Sequence, residues 1–332
     1  MKKTTLILTV LIGLFFGSCG GNKATNEESN LQAPRNNGHF LMYYNPTHSM
    51  YSSEFGTEFT KVDTCIGFPR SITSDEAGNL FSSIFGSNVG VSVSKDGGKT
   101  WTIVKNSDET VYENATYTIV AGKTNTVYAL SSRGDFFVTK DGGVNWVKKT
   151  SPCMKDTTHT SPAFSSSINL AVSVDGKKLI AQAWYFEETV LSISEDDGTT
   201  WTAITPPTER NESKGVGFCA DRIIYASYDQ IFYTDDLGKT WLVSEPEKLF
   251  AKDSERSFYG YRTFVTDGDK FVVGVEAPAA DDSRDDKNKF PGAIFLSIDG
   301  GKTFKTLDFP YSTDQTPKVS DEYIYLTFVP KK

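Results

Sequence analysis

The sequence has few histidines and cysteines, and these do not cluster as a metal site would require. Its three histidines, His39, His48 and His159, lack the spacing of a metal-binding motif. The four cysteines form no CxxC pair, so neither a zinc knuckle nor a dense disulfide framework is expected. We therefore predict no metal and no cofactor.

Basic residues are outnumbered by acidic ones, and sequence patterns with the period of an α-helix are missing. The chain has 34 Lys and Arg against 42 Asp and Glu, a formal net charge of −8, which argues against a nucleic-acid partner. Long Ala/Leu/Glu/Lys stretches of helical period are missing, whereas aromatic residues reach 13% and there are 27 glycines. This composition favours an all-β chain with many turns, which at 332 residues can form a single folded unit.

One apolar run stands out, at the N-terminus. It follows Lys2 and Lys3, extends over residues 6–16 and is followed by Gly17, Ser18 and Cys19. The run is too short to span a bilayer comfortably and has the layout of a signal peptide. Small residues directly before a cysteine resemble the lipobox of bacterial lipoproteins, which implies cleavage before Cys19 and lipidation of its thiol. An ordinary secretory signal with an incidental cysteine is the alternative.

The lipoprotein resemblance divides the chain into a signal peptide (1–18), a lipidated cysteine with a flexible tether (19–37) and a folded domain (38–332). Residues 20–37 contain one leucine and no aromatic residue, too little apolar surface to fold. Gly20 stands where an aspartate typically retains a lipoprotein in the inner membrane. The resemblance therefore implies the cell envelope, the outer membrane rather than the inner one, and membrane contact only through the lipid.

An eight-residue pattern recurs five times in the body of the chain. Each copy has Ser or Thr first, Asp third, Gly fifth and an aromatic residue eighth, and we call these segments the repeat turns. In a tight hairpin the aspartate accepts hydrogen bonds from the turn, glycine supplies a positive φ, and the aromatic ring packs between neighbouring strands. The copies are 94–101, 139–146, 194–201, 234–241 and 297–304, with a degraded sixth at 52–59. Structural roles are predicted for Asp96, Asp141, Asp196, Asp236 and Asp299, and for Trp101, Trp146, Trp201, Trp241 and Phe304.

These repeat turns resemble the Asp-box, or BNR repeat, of sialidase-like β-propellers. The resemblance implies an all-β propeller of four-stranded antiparallel blades, and the copies are spaced about one blade apart. The two ends of the chain supply one more blade, in which a strand at 323–329 pairs with one at 39–44 and closes the ring. Six blades are expected, or seven if one blade lacks a repeat turn.

In propellers of this type, ligands usually meet the face opposite the repeat turns, which is formed by the loops between strands two and three and between blades. Three consecutive aromatic residues, Trp184, Tyr185 and Phe186, lie at a predicted hairpin tip on that face, where they could stack on a sugar ring or a protein partner. A partly buried edge cluster is the alternative.

Two arginines form the second candidate group. Arg70 and Arg262 occupy similar positions in two predicted inner strands, from which both could point into the central channel and hold an anion. Structural salt bridges are the alternative. Tyr259 and Tyr261, which precede Arg262 in the same segment, complete the candidate ligand-binding set.

The resemblance to sialidases also makes a catalytic function a hypothesis to test against the sequence. It implies three arginines, a Tyr/Glu nucleophile pair, an acid/base aspartate and an early Arg-Ile-Pro motif. The nearest segment, 68–72, has Arg and Pro in the wrong order, so no catalytic residue is assigned. Two hypotheses follow. One is a monomeric, non-catalytic, membrane-anchored propeller that binds a glycan, peptide or protein partner; the other is a glycoside hydrolase with a divergent site.

Overall fold

The computed structural model describes residues 33–44, 49–56, 60–64, 69–84, 90–105, 117–131, 134–152, 168–185, 188–208, 215–227, 230–245, 262–276, 293–308 and 324–331. Regular structure in these segments is β-strand, apart from one 3₁₀ turn at Arg35–Asn37. None of these segments contains a helix long and apolar enough to cross a membrane. Cys19 and the predicted signal peptide lie outside the described residues.

The strands form six sheets of four strands each. The strands of blade 1 are β1 (His39–Tyr44), β2 (Ser49–Ser53), β3 (Thr60–Thr64) and the last strand of the chain, β24 (Ile324–Val329). Blade 2 contains β4 (Pro69–Ser74), β5 (Leu80–Ile84), β6 (Gly90–Ser94) and β7 (Thr102–Lys105). Blade 3 contains β8 (Tyr117–Ala121), β9 (Val127–Ser131), β10 (Phe136–Thr139) and β11 (Val147–Lys149).

The remaining blades repeat this order. Blade 4 contains β12 (Ile168–Val172), β13 (Leu179–Tyr185), β14 (Glu188–Ser194) and β15 (Thr202–Ile204). Blade 5 contains β16 (Gly215–Cys219), β17 (Arg222–Ala226), β18 (Ile231–Thr234) and β19 (Leu242–Val243). Blade 6 contains β20 (Arg262–Thr266), β21 (Val272–Glu276), β22 (Ala293–Ser297) and β23 (Lys305–Asp308).

The sheets are arranged as a six-bladed β-propeller, which confirms the predicted architecture and excludes seven blades. The inner strand of each blade lies beside the inner strands of the two adjacent blades. The predicted closure is also confirmed: β24 pairs antiparallel with β1, from His39 opposite Val329 to Tyr44 opposite Ile324. The first and last strands of the chain therefore share one sheet.

The hydrophobic core lies between the blades. Each blade buries both faces of its sheet, so strands such as β9 and β10 are buried along their whole length instead of alternating between core and solvent. The buried residues form six clusters, one at each interface between adjacent blades. Between blades 6 and 1, for example, Phe40 of β1 packs on Phe271 beside β21.

Hydroxyl side chains join the inner strands of adjacent blades. Ser71 and Thr73 of β4 accept hydrogen bonds from the backbone N–H groups of Ile119 (3.2 Å) and Ala121 (2.9 Å) in β8. Thr118 of β8 in turn donates to the carbonyl of Ile168 in β12 (3.2 Å). Backbone groups on the free edge of an inner strand are thus satisfied by hydroxyl side chains of the preceding blade.

A buried carboxylate links blades at the turn between their first and second strands. Asp75 accepts a hydrogen bond from the N–H of Asn125 in blade 3, at 2.9 Å. Asp267 of blade 6 accepts one from the N–H of Arg35, at 3.0 Å, and the Arg35 side chain donates to the Asp267 carbonyl, at 2.7 Å. The same type of link therefore closes the ring where the two chain ends meet.

Candidate functional site

The propeller has two distinct faces. One, the turn face, carries the repeat turns and the turns between the first and second strands of each blade. The other, the loop face, carries the connections between the second and third strands and between successive blades. Most loop-face connections fall outside the described residues, so the candidate ligand-binding residues are located through their strands.

The aromatic group lies at the loop-face end of blade 4. Trp184 and Tyr185 are the last residues of β13 and pair with Thr189 and Glu188 of β14, which leaves a two-residue connection between the strands. Phe186 lies outside the described residues, as do Tyr259 and Tyr261. The pairing of β13 with β14 continues from Leu179 opposite Ser194 to Tyr185 opposite Glu188.

The two arginines lie on inner strands that flank β24. Arg70 stands in β4, at a register irregularity between Pro69 and Ser71. Arg262 begins β20 and pairs with Glu276 of β21. Both positions are at the loop-face ends of their strands, in blades 2 and 6, so their backbones lie on either side of blade 1.

The repeat turns share one hydrogen-bond pattern, which the turn of blade 4 illustrates. Ser194 Oγ donates to Asp196 Oδ1 (2.8 Å) and accepts from the N–H of Gly198 (2.9 Å). Thr200 donates to both oxygens of Asp196, its N–H to Oδ1 (2.8 Å) and its hydroxyl to Oδ2 (2.6 Å). In the degraded copy the N–H of Gly56 donates to Ser53 Oγ (2.9 Å), whereas the predicted alignment of this copy makes Ser52 the acceptor. The turn is therefore one residue shorter than in the other copies.

These donors stabilise the charged form of the aspartates. Hydrogen bonds from the following threonine are the main cause that lowers the pKa of Asp96, Asp196 and Asp236 to about 2. The pKa values of Asp141 and Asp299 are also lowered, because hydrogen bonds from their turns outweigh the opposing effect of burial. A carboxylate that is ionised and already bonded on both oxygens is poorly suited to donate a proton as a general acid.

The aromatic residues of the repeat turns pack between blades, where the sequence had predicted packing between strands. Each described ring joins the apolar cluster between its own blade and the preceding one; the rings are Trp101, Trp146, Trp201, Trp241 and Phe304. The indole N–H groups of Trp201 and Trp241 also donate to carbonyls of the preceding blade, Thr150 and Thr205, each at 3.0 Å. These residues therefore hold neighbouring blades together.

A cleft of about 290 Å³ lies on the turn face between blades 3 and 4. At its floor the Tyr128 hydroxyl donates to Asp197 Oδ1, and Lys140 binds Asp197 Oδ2 at 2.9 Å. Burial, together with this carboxylate, raises the pKa of Tyr128. Because Tyr128 and Lys140 both bind the Asp197 carboxylate, we interpret this group as a structural contact between blades 3 and 4. The described residues contain no cluster of metal-ligating side chains.

Sequence reasoning missed a polar group between blades 4 and 5. Gln182 of β13 is completely buried, and its Oε1 accepts a hydrogen bond from Asn169 Nδ2 at 2.6 Å. Among the residues that the structure describes, its Nε2 has no hydrogen-bond partner, and neither does the buried Oγ1 of Thr189 in β14. Buried polar atoms in folded proteins are usually paired. No motif signals this site, because it arises from strand register.

The fold and the repeat turns define a six-bladed β-propeller with its chain ends joined in one sheet. A family model described as sortilin, neurotensin receptor 3 (Sortilin-Vps10) matches residues 90–310. The chain belongs to the Sortilin-Vps10 family. No curated protein sequence matches the chain.

The chain is also similar to several solved structures. A chain from the crystal structure of a nidogen/laminin complex is 11% identical, with a TM-score of 0.58 over 88% of this chain and 98% of that chain. YCF48 from Cyanidioschyzon merolae is 15% identical, with a TM-score of 0.48 over 88% and 89% of the two chains. A GH74 enzyme from Niastella koreensis is 13% identical, with a TM-score of 0.46 over 82% of this chain and 45% of that one. At these identities the likeness concerns the fold alone.

Proposed function

We propose that this chain is a non-catalytic binding propeller, anchored in the bacterial cell envelope through a lipid on Cys19, that holds a peptide or protein partner on its loop face. The observation that carries the proposal is membership of a family whose description names a receptor, over residues 90–310. The anchor places the propeller outside the cytoplasm, where such a partner would be met.

The chemistry of the turn face supports binding over catalysis. Its repeated carboxylates occupy equivalent environments and are engaged by hydroxyl and backbone donors, as at Asp96 and Asp236. A catalytic carboxylate needs an environment that differs from those of its neighbours. We therefore assign the partner to the opposite face, where the sequence segments that connect the strands differ in length from blade to blade.

On that face the candidate contacts are the residues predicted from the sequence. Strand β13 ends with Trp184 and Tyr185, which Phe186 follows in the sequence, and inner strands β4 and β20 carry Arg70 and Arg262 at their loop-face ends. Tyr259 and Tyr261 precede β20. Aromatic and arginine side chains are the types that dominate protein interfaces, which supports a peptide or protein partner.

The binding test uses the full-length chain on an array that carries both peptides and glycans. We expect saturable binding that falls at least tenfold in Trp184→Ala and is unchanged in Ile103→Ala, a control that removes a side chain 54% exposed on outer strand β7. Equal binding by the wild type and Trp184→Ala would remove Trp184 from the site. Turnover of aryl glycosides or sialosides would replace the proposal with the glycoside hydrolase.

The anchor is tested separately. Growth with radiolabelled palmitate should label the wild-type chain in the membrane fraction, whereas Cys19→Ala should be unlabelled and recovered in soluble fractions. A labelled Cys19→Ala chain would contradict lipidation at this residue.

A further inference from the structure

The hairpin of blade 4 extends beyond the strands on either side of it. On the inner side, the pairing of β13 with β12 ends at Ala183 opposite Ile168, and β13 continues for two more residues toward the loop face. On the outer side, the pairing of β14 with β15 ends at Leu191 opposite Ile204, so the three residues Glu188–Val190 lie beyond the last β15 pair. The outer edge of β14 is therefore not covered by its neighbouring strand over these residues.

The third strand of the other blades is covered as far as its loop-face end. In blades 1, 2, 3 and 6 the first residue of that strand is itself paired with the outer strand. These pairs are Ser49 with Thr64, Gly90 with Lys105, Phe136 with Lys149, and Ala293 with Asp308. In blade 5 the third strand begins at Ile231, whose carbonyl accepts the N–H of Ser244 at 2.9 Å. Among the described strands, the uncovered edge is therefore specific to blade 4.

Blades 3 and 5 show which way the backbone faces at this edge. Gly134 and Thr189 both stand five residues before the first residue of the repeat turn in their blades. The Gly134 carbonyl accepts a hydrogen bond from the Ser151 hydroxyl, in the segment after the outer strand, so it points outward. The carbonyl of Ile231 in blade 5, two positions nearer the repeat turn, also points outward. Because backbone groups alternate in direction along a strand, residues two apart face the same way, and the N–H and C=O of Thr189 face the outer edge.

The segment after β15 cannot cover the Thr189 carbonyl in the way that Ser151 covers the corresponding carbonyl in blade 3. Pro206 and Ser151 both stand five residues after the last residue of the repeat turn in their blades. A proline has neither a hydroxyl nor an N–H, and Pro206 is followed by a second proline, so neither of the two can donate a hydrogen bond. The carbonyl of Thr205 is bound by the indole N–H of Trp241 in blade 5, at 3.0 Å. The chain thus turns toward blade 5 where a longer β15 would have paired with β14.

Charge indicates the kind of segment that fits this edge. From Leu179 to Ser194 the hairpin sequence contains Glu187 and Glu188 and no Lys, Arg or His. Natural sheets commonly protect an exposed edge with lysine, and this hairpin has none. Because acidic residues attract basic ones, a basic peptide in an extended conformation complements the hairpin.

We propose that an extended, basic segment of the protein partner binds to the outer edge of β14 as an additional strand. An N–H and a C=O of that segment pair with the C=O and N–H of Thr189, a residue that is partly exposed. The edge adjoins the β13–β14 connection, so the bound segment reaches the loop face. This inference rests on the proposed function and specifies its partner as a peptide segment recognised through its backbone.

The probe is a fluorescein-labelled peptide of sequence Lys-Val-Thr-Val-Lys, titrated with the full-length chain and followed by fluorescence anisotropy. We expect saturable binding. N-methylation of the Val-Thr-Val core should weaken binding about tenfold, because the peptide loses its main-chain donors. Replacement of both lysines by glutamate should also weaken binding. Hydrogen exchange at the Thr189 N–H should slow about tenfold when the probe is bound.

Pro206→Ser tests the open edge without altering β14. It places a serine where blade 3 has Ser151, so the Thr189 carbonyl gains a donor from its own chain and probe binding should fall about tenfold. Ser151→Ala, at the corresponding position of blade 3, is the matched control and should bind like the wild type. Equal probe affinity of the wild type and Pro206→Ser would overturn the edge site, and so would equal affinity for the methylated and unmethylated peptides.

The remaining outcomes separate the two proposals. Array binding that is lost in Trp184→Ala and unchanged in Pro206→Ser would retain the proposed function and overturn the edge site. Array binding confined to glycans would overturn the peptide assignment. A wild-type chain that binds neither the array nor the probe would overturn both proposals.

Discussion

The indole N–H of Trp201 in blade 4 donates to the carbonyl of Thr150, which follows the outer strand of blade 3, at 3.0 Å. The same ring meets Phe136 of blade 3 edge-on, with centroids 5.3 Å apart and planes at 88°. One side chain therefore joins two blades through both apolar contact and a hydrogen bond. Trp146 differs, because its N–H remains within its own turn, on the carbonyl of Gly143.

We expect Trp201→Phe to lower the free energy of unfolding by about 1 kcal/mol, the usual contribution of one hydrogen bond. The ring is retained, as at Phe304 of blade 6, so little packing should be lost. Urea denaturation measures the change. Amide exchange in β11 should accelerate in Trp201→Phe, whereas β7 exchange should be unaffected in Trp146→Phe, the control. Equal effects on the preceding blade in both variants would contradict the inter-blade role.

Two glycines with the same backbone conformation provide a test of packing. Gly97 and Gly198 both have φ +74°, but an added Cβ meets nothing within 4 Å at Gly97 and would lie 2.3 Å from Phe136 Cε1 at Gly198. Gly97→Ala should therefore cost only the backbone strain, about 1 kcal/mol. Gly198→Ala should cost a further 1–3 kcal/mol, roughly, because the ring must move. Urea denaturation of both variants measures the difference, and similar losses would show that strain alone decides both positions.

The repeat-turn aspartates predict acid sensitivity. The folded pKa of about 2 at Asp96, Asp196 and Asp236 lies below the ordinary value for Asp, so the folded state binds fewer protons than the unfolded state as pH falls between these values. Their contribution to stability is present above about pH 4 and is lost as pH falls through about 2. Urea denaturation across this interval should show declining stability.

We expect the hydroxyl group of Thr200 to be the main cause of the lowered pKa of Asp196. Thr200→Ala removes the hydroxyl donor and should move the Asp196 pKa upward, toward the ordinary value, in a carbon-detected carboxyl titration. Thr199→Ala is the control, because the Thr199 hydroxyl accepts from Lys149 and is not a donor to Asp196. An unchanged pKa in Thr200→Ala would refute this cause.

Ring closure should depend on Arg35. A chain that begins at Ala33 keeps both hydrogen bonds between Arg35 and Asp267, whereas one that begins at Gly38 loses them. We expect the shorter chain to be less stable by about 1.5–3 kcal/mol, the range for a hydrogen bond to a charged group. Arg35→Ala, which retains the backbone N–H, should lie between the two in urea denaturation. Equal stability of all three chains would show that β1–β24 pairing suffices for closure.

The fold was predictable because its signals are local. In each repeat turn the donors and the acceptor lie within a few residues, as with Ser194, Asp196 and Thr200, so the pattern contains the whole interaction. The closing strand pair could be predicted because an unfinished blade remained at each end of the chain.

The rest depends on residues distant in sequence. Trp201 and Trp146 occupy the same repeat position, yet one indole N–H bonds the preceding blade and the other its own turn. Gln182 and Thr189 become a pair only through the β13–β14 register and the approach of blade 5. Among the candidate ligand contacts, the sequence names residue types that suit binding, but their convergence depends on loops from several blades.

The pairing of β1 with β24 also bears on how the chain reaches its folded state during synthesis. Strands β1 to β3 are synthesised early, but the inner strand of their sheet, β24, is synthesised after all the other described strands. Until residue 329 is available, the edge of β1 carries unpaired backbone groups that favour pairing with other chains. Non-local pairing of this kind is slow. The interval between synthesis of β1 and synthesis of β24 is therefore when protection by a chaperone would matter most.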